Sequence, residues 1–318
     1  MAHQLSFAAN GQAEMAYMGQ TPWHGLGQKV SAGASLEEWM VQANLEWNIL
    51  QSPVMYMNGS MHEAPEYQVL YRSDTNAHLS VVSDRYKVVQ PKEMLEFFRS
   101  LVDAEGFSID TVGSLKGGRR MWALANTNVE DEVNNGDLIK AYLLLITSCD
   151  GSLATTAKFI STRVVCWNTQ AIALTEEGQQ VKVRHNTAFN ADAVKGEMGL
   201  IGRKAFGSFI DRMRNLSSVP LSTQGAKHAL SLILPNPAGD MELQDTKGYR
   251  KIMDLFQGGA KGSNLPGVAG TAWGLLNAVT EYTDHHIRAH KAENRLDSAW
   301  FGNGANLKAA AEDVLLTM

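Results

Sequence analysis

Apolar and polar positions alternate in several segments of the first half of the chain, a pattern typical of strands that bury one face. The alternation predicts strands near residues 47–50, 54–57, 67–71, 79–82 and 139–147. Two dipeptides predict tight hairpin turns, namely Asn58-Gly59 and Gly117-Gly118. Glycine and asparagine adopt the positive φ of such turns at low cost. The first half of the chain is therefore predicted to form antiparallel hairpins.

Other segments repeat their apolar residues every three or four positions, as helices do. Ser35 is predicted to cap a helix that reaches about Asn44, and Pro91 to begin a second helix that extends to about Leu101. Further helices are predicted from residue 188 onward, at about 188–215, 224–234, 246–256 and 269–291. The segment 163–174 is compatible with a strand or a helix, and its pattern slightly favours a helix.

Strands thus come first in the chain and helices last. This segregation predicts an α+β fold, rather than the doubly wound parallel sheet that alternating strands and helices would form. We expect an antiparallel sheet with packed helices in the N-terminal two-thirds and a mostly helical C-terminal third. The predicted organisation is an N-terminal arm (1–30), an α+β core (31–187) and a helical region packed on that core (188–318).

Composition excludes several classes of protein. Hydrophobic residues make up 44% and charged residues 19% of 318 residues, which is typical of a folded globular chain and not of a disordered one. The longest apolar run is about six residues, 141–146, too short to span a membrane. The first fifteen residues lack the basic start and apolar block of a secretory signal. Two cysteines form no disulfide framework, so a cytoplasmic location is predicted.

The net charge of -5 hides an uneven distribution. Residues 1–110 carry a net charge of -7, residues 111–229 a net of +4 and residues 230–318 a net of -2. A basic region in an acidic protein is a candidate surface for a polyanion, although a net of +4 is also within ordinary scatter. The candidate nucleic-acid-binding residues in this region are cations and one stacking aromatic residue: Lys116, Arg119, Arg120, Lys158, Arg163, Trp167, Lys182, Arg184, Arg203 and Lys204.

Catalytic and metal-binding patterns are weak. Cys166 and His185 could form a thiolate–imidazole pair, but a cysteine beside two valines and a tryptophan is more often a buried apolar residue. His286 and His290 have the i,i+4 spacing of zinc ligands, yet they continue an apolar helical stripe and lack an evident third ligand. The glycine-rich stretch 258–267 departs from a phosphate-binding loop, because Lys261 precedes glycine. The sequence predicts no metal or cofactor and favours a non-enzymatic role.

Several motifs together resemble a phage/plasmid-like family designated domain of unknown function 932. The motifs are Thr-Pro-Trp-His-Gly-Leu-Gly at 21–27, Asp-Arg-Tyr-Lys-Val-Val-Gln at 84–90, Arg-Val-Val-Cys-Trp-Asn-Thr at 163–169, Arg-His-Asn-Thr at 184–187, Thr-Ala-Trp-Gly-Leu-Leu-Asn-Ala-Val-Thr-Glu-Tyr-Thr-Asp-His at 271–285 and Leu-Asp-Ser-Ala-Trp-Phe-Gly at 296–302. The resemblance covers most of the chain in the same order. Trp167 stands where the family more often has glutamine, which adds a possible stacking ring.

The resemblance implies a gene of a phage, prophage or conjugative plasmid that is expressed inside a bacterium. By layout, such proteins are similar to single-strand annealing proteins, which form rings or filaments that hold single-stranded DNA in an outer groove. We therefore expect an oligomeric single-stranded DNA-binding and annealing protein, acting in recombination or replication, with a host or phage single-strand-binding protein as a further partner. Trp23 and His24 are candidates for subunit contacts or for the DNA groove.

Two alternatives remain open at this point. The first is an enzyme that processes nucleotides or nucleic acids through Cys166 and His185. The second is a host-interaction or counter-defence protein whose acidic N-terminal third meets a basic partner or mimics DNA.

Overall fold

The computed structural model describes residues 5–19, 21–22, 25–165, 168–171, 181–183, 191–237, 239–287 and 295–318. Strands dominate the N-terminal two-thirds and helices the C-terminal third, so the predicted α+β class is confirmed. Within the described residues, no helix combines the length and the apolar character that a membrane crossing requires.

The described strands form two sheets. Eight strands form the larger sheet, in the order β10-β9-β8-β7-β6-β1-β2 with β11 also paired to β9, and three form the smaller sheet, in the order β3-β4-β5. The strands are β1 (Met15–Met18), β2 (Gln28–Val30), β3 (Ile49–Asn58), β4 (Ser60–Arg72), β5 (His78–Ser83), β6 (Ser108–Leu115), β7 (Arg120–Glu132), β8 (Leu138–Ser148), β9 (Thr155–Arg163), β10 (Asn168–Ala171) and β11 (Val181–Val183).

The sheet pairs are mostly antiparallel, in agreement with the predicted hairpins. In the smaller sheet, Asn58 pairs with Ser60 around Gly59, whose φ is +74°. In the larger sheet, β6 pairs with β7, and β1 pairs antiparallel with β6 but parallel with β2. The end strands β2 and β10 have three and four residues, and short end strands limit unwanted pairing with other chains.

The described helices are α1 (Leu36–Gln42), α2 (Pro91–Glu105), α3 (Ala191–Ser218), α4 (Thr223–Ile233), α5 (Lys247–Asp254), α6 (Ala272–Glu281), α7 (Arg295–Phe301) and α8 (Asn303–Leu316). Local sequence explains their starts. The Ser35 hydroxyl accepts a hydrogen bond from the Glu38 amide, and Pro91 occupies the first turn of α2. Gly106 then ends α2 in the left-handed region, at φ +68°.

Two local predictions were wrong. Residues 168–171 form strand β10 instead of a helix, and Arg163 is the last residue of β9. The helix predicted at 269–291 is shorter: α6 ends at Glu281, and a π-helical turn at Tyr282–His286 completes it. Pairing with β9 explains the first error, because Asn168 to Ala171 hydrogen-bond to Arg163 to Ile160 in antiparallel register.

The N-terminal residues are integrated into the larger sheet rather than forming a separate arm. β1 lies between β6 and β2, and Leu5, Met15 and Ala16 are all less than 4% exposed. The described residues of the predicted N-terminal arm are therefore part of the sheet and its core.

The chain forms two compact units, and each is assembled from segments that are distant in sequence. Unit 1 comprises Met1–Thr127, Leu143–Lys158 and Gln180–Leu200; unit 2 comprises Asn128–Tyr142, Phe159–Gln179 and Ile201–Met318. Large apolar side chains are buried in both, such as Phe98 and Leu115 in unit 1 and Phe209 and Leu276 in unit 2. The units interleave along the chain, whereas the sequence suggested consecutive regions.

Candidate nucleic-acid interface

The tip of the β6–β7 hairpin in unit 1 has an unusual backbone. Lys116, Gly117 and Gly118 all have positive φ, at +56°, +68° and +94°. Gly118 also lies against Trp47, and a Cβ atom there would be 2.9 Å from the indole ring. Glycine is thus required at residue 118 both for its conformation and for the close approach of Trp47. The tip is consequently packed against Trp47.

Hydrogen bonds bring two further segments of unit 1 to this tip. The Cys149 amide donates to the Arg119 carbonyl at 2.9 Å, which joins the turn after β8 to the tip. The Tyr86 hydroxyl donates to the Ser148 carbonyl at 2.8 Å, which joins the segment between β5 and α2 to the same turn. A tyrosine phenol is protonated at neutral pH, and burial raises the pKa of Tyr86 further above its usual value. Three segments are therefore connected within a few residues of Cys149.

Cations are concentrated on these connected segments. Arg85, Lys87 and Arg119 are exposed and Lys116 is half-buried. We name these four residues the basic loop cluster. Exposed lysine and arginine side chains on rigid loops are suited to contacts with phosphates, which position a strand without reading its sequence.

Arg120 follows Arg119 directly in the chain but is only 8% exposed. Its guanidinium donates to the Ser152 hydroxyl at 3.0 Å, and burial lowers its pKa. The Asp150 carboxylate accepts hydrogen bonds from the Ser152 amide and hydroxyl. Burial alone would raise the pKa of Asp150, but these hydrogen bonds outweigh burial and lower it. Arg120 and Asp150 thus hold the turn after β8 and do not form a free cationic surface.

The structure divides the ten residues predicted to bind nucleic acid. Arg119 and Lys204 are exposed and Lys116 is half-buried, whereas Arg120, Lys158 and Arg163 are buried at 8%, 5% and 2% exposure. The burial of these three side chains argues against their predicted role in binding nucleic acid, because they are not accessible to a ligand. For Lys182 in β11 and Arg203 in α3, the structure describes the backbone but not the side chain. Trp167 and Arg184 lie outside the described residues.

Arg85 and Lys87 were missed by the sequence reasoning. They belong to the motif at 84–90, but that motif lies in the acidic first third of the chain, where the net charge is -7. The regional sum concealed a local pair of cations that folding brings to the β6–β7 tip.

Arg163 has a structural role in unit 2. Its guanidinium forms a two-pronged ion pair with Asp137, at 2.6 and 3.0 Å, and also donates to the carbonyls of Lys261 and Gly262 at 3.2 Å each. The Trp273 indole donates to the second Asp137 oxygen at 2.8 Å. This network holds the glycine-rich stretch in place.

That stretch does not present the backbone donors of a phosphate-binding loop. The Lys261 amide donates to the buried Glu281 carboxylate at 2.9 Å, so a protein anion already occupies this donor. The glycine-rich stretch is therefore a structural turn that Arg163 and Glu281 hold from two sides.

Other residues of the family-like motifs form a second buried network in unit 2. Asp284 accepts hydrogen bonds from the Thr169 amide at 2.7 Å and hydroxyl at 2.9 Å, and Lys308 bridges both residues. Asn168 donates to the Asn277 carbonyl and the Thr280 hydroxyl. The motifs at 163–169 and 271–285 thus meet in the interior, where several of their polar groups hydrogen-bond to one another.

Most of the candidate catalytic and metal-binding residues lie outside the described residues, namely Cys166, His185 and His290. Trp23 and His24, the candidates for subunit or DNA contacts, also lie outside them. His286 is described, and its side chain is 34% exposed beside Glu281 at 3.4 Å, so it does not continue a buried apolar stripe. Within the described ranges, no group of three or more potential metal ligands is present.

The described cysteine, Cys149, has the environment of an inert thiol. Burial raises the pKa of the Cys149 thiol to about 12, and the nearby Asp150 carboxylate acts in the same direction. Since the thiolate is the reactive species, we expect iodoacetamide at pH 8 to leave Cys149 unmodified in the folded protein and to label it after denaturation. Mass spectrometry of the labelled peptides checks this, with denatured protein as the control. Labelling of Cys149 in the native state would contradict it.

Comparison with known proteins gives one match. A family model described as "Domain of unknown function (DUF932)" matches residues 78–300, more than two thirds of the chain. No curated protein and no solved structure is significantly similar to the chain.

Proposed function

Since the chain belongs to the DUF932 family, whose description assigns no activity, we propose from its own surface that it binds single-stranded DNA and anneals complementary strands. We further propose that it assembles with copies of itself and acts in the cytoplasm of a bacterium, in recombination or replication of a phage or plasmid. A single-strand-binding protein of the host or phage is then a natural partner, because it covers the same DNA.

The observation that carries this proposal is the basic loop cluster. The three connected segments, 84–90, 116–120 and 148–153, contain five cations and two carboxylates, a net charge of +3, whereas the whole chain carries -5. Arg85, Lys87 and Arg119 are exposed, and hydrogen bonds through Ser148 and Cys149 fix the segments that carry them. Because the backbone of these segments is already fixed, only the cationic side chains lose conformational freedom when they bind a phosphate chain.

Phosphate contacts alone also explain why annealing, and not sequence-specific binding, is the activity proposed. Contacts to the backbone leave the base edges available for pairing, so a second strand can find its complement while the first is held. The buried positions of Arg120, Lys158 and Arg163 restrict the proposed surface to the cations that remain accessible.

The proposal predicts a specific salt dependence. Replacing Arg85, Lys87 and Arg119 by alanine removes up to three phosphate contacts, and each contact contributes about 0.7 to the slope of log K against log salt for single strands. We expect the magnitude of the slope to fall by roughly 2. Affinity should fall about equally for unrelated oligonucleotides, since the lost contacts do not read bases. Fluorescence anisotropy at several salt concentrations measures both quantities.

A matched control removes the same charge elsewhere. Lys29, Lys227 and Lys247 are exposed, so their triple alanine variant has the same net charge as the test variant. We expect its salt slope to match that of the wild type. Equal losses in both variants would mean that binding depends on overall charge and not on the basic loop cluster.

Annealing is measured separately with two complementary oligonucleotides that carry a fluorescent donor and acceptor. The wild type should accelerate pairing, and the basic-loop variant should not. Wild-type protein that binds no oligonucleotide would exclude the proposed function. Cleaved or modified oligonucleotides after incubation would instead favour the enzyme alternative.

A further inference from the structure

The hairpin of β3 and β4 in unit 1 extends beyond the third strand of its sheet. β5 pairs with residues 67–71 of β4, whereas β3 and β4 continue to pair from Val54–Ala64 as far as Asn58–Ser60. We name residues 54–64 the ribbon. None of its eleven residues is buried. Two-stranded hairpins are marginally stable in water by themselves, so an exposed ribbon of this kind gains stability from a covering surface.

One face of the ribbon is rich in methionine. Met57 pairs with Met61 across the hairpin, and Met55 lies two residues further along the same strand, on the same face. Met55 is 47% exposed, Met57 70% and Met61 64%. Clustered exposed apolar side chains mark interaction sites, and methionine adapts its shape to the partner. The methionine face is thus an interaction surface rather than part of the core.

Charge selects the type of partner. Residues 51–69 contain Glu63 and Glu66 and no lysine or arginine, a net charge of -2. Glu63 pairs with Met55, so it lies on the methionine face. This combination is unfavourable for nucleic acid and for anionic lipid, and it is complementary to an apolar protein surface with a cation.

Unit 2 of the same chain offers such a surface. Val164 and Val165 are 36% and 43% exposed, and Lys261 is exposed. Val165 lies directly against Gly262, where an added Cβ would come within 2.7 Å of a Val165 methyl group. Residues 255–270 contain Lys261 and no acidic residue. We name Val164, Val165 and Lys261 the valine surface.

The valine surface is also rigid. The buried Arg163 precedes Val164 and holds the carbonyls of Lys261 and Gly262, while Asp137 holds Arg163. A surface fixed before binding avoids the entropic cost of ordering it on contact.

We infer that the methionine face of one copy docks on the valine surface of another copy, with Glu63 facing Lys261. Two different surfaces then meet, so the contact repeats head to tail and generates a ring or a filament instead of a simple two-fold dimer. This inference rests on the self-assembly in the proposed function and identifies the surfaces that produce it.

The first test is a charge placed on the methionine face. The Met57→Glu/Met61→Glu variant should be monomeric by size-exclusion chromatography with light scattering at concentrations where the wild type is oligomeric. At a concentration where the wild type is also monomeric, its urea midpoint should fall only slightly, because both side chains are exposed and the only new cost is repulsion between the two facing glutamates. Leu232→Glu/Met241→Glu is the matched control, since these residues are 59% and 56% exposed elsewhere and the charge change is the same. The control should remain oligomeric.

The second test identifies the partner surface by charge exchange. Glu63→Lys and Lys261→Glu should each weaken assembly at least about fivefold, and the variant with both changes should recover most of the loss. A monomeric wild type, or a methionine-face variant that still assembles, would overturn the inference. A third outcome would also overturn it: the Met57→Glu/Met61→Glu variant loses assembly, but the Glu63→Lys/Lys261→Glu variant does not recover it. The ribbon would then contact another surface or another ribbon.

DNA binding separates this inference from the proposed function. The Met57→Glu/Met61→Glu variant retains the basic loop cluster, so short oligonucleotides that one copy can hold should bind with the affinity of the wild-type cluster. If the wild type assembles as inferred but binds no DNA, the proposed DNA activity fails and the contact between copies stands. If DNA binds but assembly does not respond to either test, the contact fails and the DNA activity stands.

Discussion

Replacing Arg163 by alanine should lower the free energy of unfolding by about 3–5 kcal/mol, the usual cost of removing one partner of a buried ion pair. Asp137 has no solvent exposure and would retain only the Trp273 indole as a described side-chain donor. The carbonyls of Lys261 and Gly262 would lose their donor as well. Urea denaturation followed by tryptophan fluorescence measures the change.

Two further variants make this result specific. Arg163→Lys keeps the charge but loses the two-pronged geometry, so we expect an intermediate loss. Lys251→Ala breaks an exposed ion pair with Asp254 and should change the free energy of unfolding by less than about 1 kcal/mol. If Arg163→Ala retained full stability but lost DNA binding, the side chain would have the surface role that the sequence predicted and not the buried role.

Replacing Arg72 by alanine should have a similarly large effect in unit 1, again about 3–5 kcal/mol. Arg72 lies 2.7 Å from the buried Glu14 carboxylate, 2.7 Å from Asp74 and 4.2 Å from the centre of the Trp47 ring. Burial opposes its charge, but hydrogen bonds to Asp74 and Glu14 outweigh burial and raise the pKa of Arg72. The variant would remove the cationic partner of the buried Glu14 side chain and leave the Ser114 hydroxyl as its remaining described side-chain donor.

The same substitution should also disturb the basic loop cluster. Arg72 donates to the Gly117 carbonyl at 3.3 Å, so it helps hold the tip that carries Lys116 and Arg119. We expect weaker binding of single-stranded DNA under conditions where the variant is still folded, with a smaller change in salt slope than that of the basic-loop variant. A double variant, Arg72→Met/Glu14→Gln, removes both charges and should recover part of the stability. If Arg72→Ala were as stable as the wild type, Glu14 would not be a buried partner of Arg72.

Local sequence determined much of the secondary structure. Ser35 and Pro91 begin helices where they were predicted to do so, because a side-chain cap and a fixed φ act within one turn. Asn58-Gly59 and Gly117-Gly118 form turns for the same reason, since positive φ is a property of the residue itself. The order of strands and helices was enough to predict the α+β class.

Tertiary structure decided the conformation of residues 168–171. Their sequence is compatible with a helix, but the end of β9 offers unpaired backbone groups, and pairing with that strand satisfies them. Contacts distant in sequence also accompany the early end of the C-terminal helix α6. Asp284, just after α6, hydrogen-bonds to Thr169 and Lys308. A local pattern contains no information about partners more than a hundred residues away.

Tertiary structure also decided which cations could reach a ligand. Arg119 and Arg120 are neighbours in sequence, yet one is exposed and the other is enclosed beside Ser152. Arg163 is buried because Asp137 and two carbonyls of the glycine-rich stretch compensate its charge. The sequence therefore determined that cations are concentrated in the middle of the chain, while burial depends on whether folding brings each one an acidic partner, and only the assembled structure contains that partner.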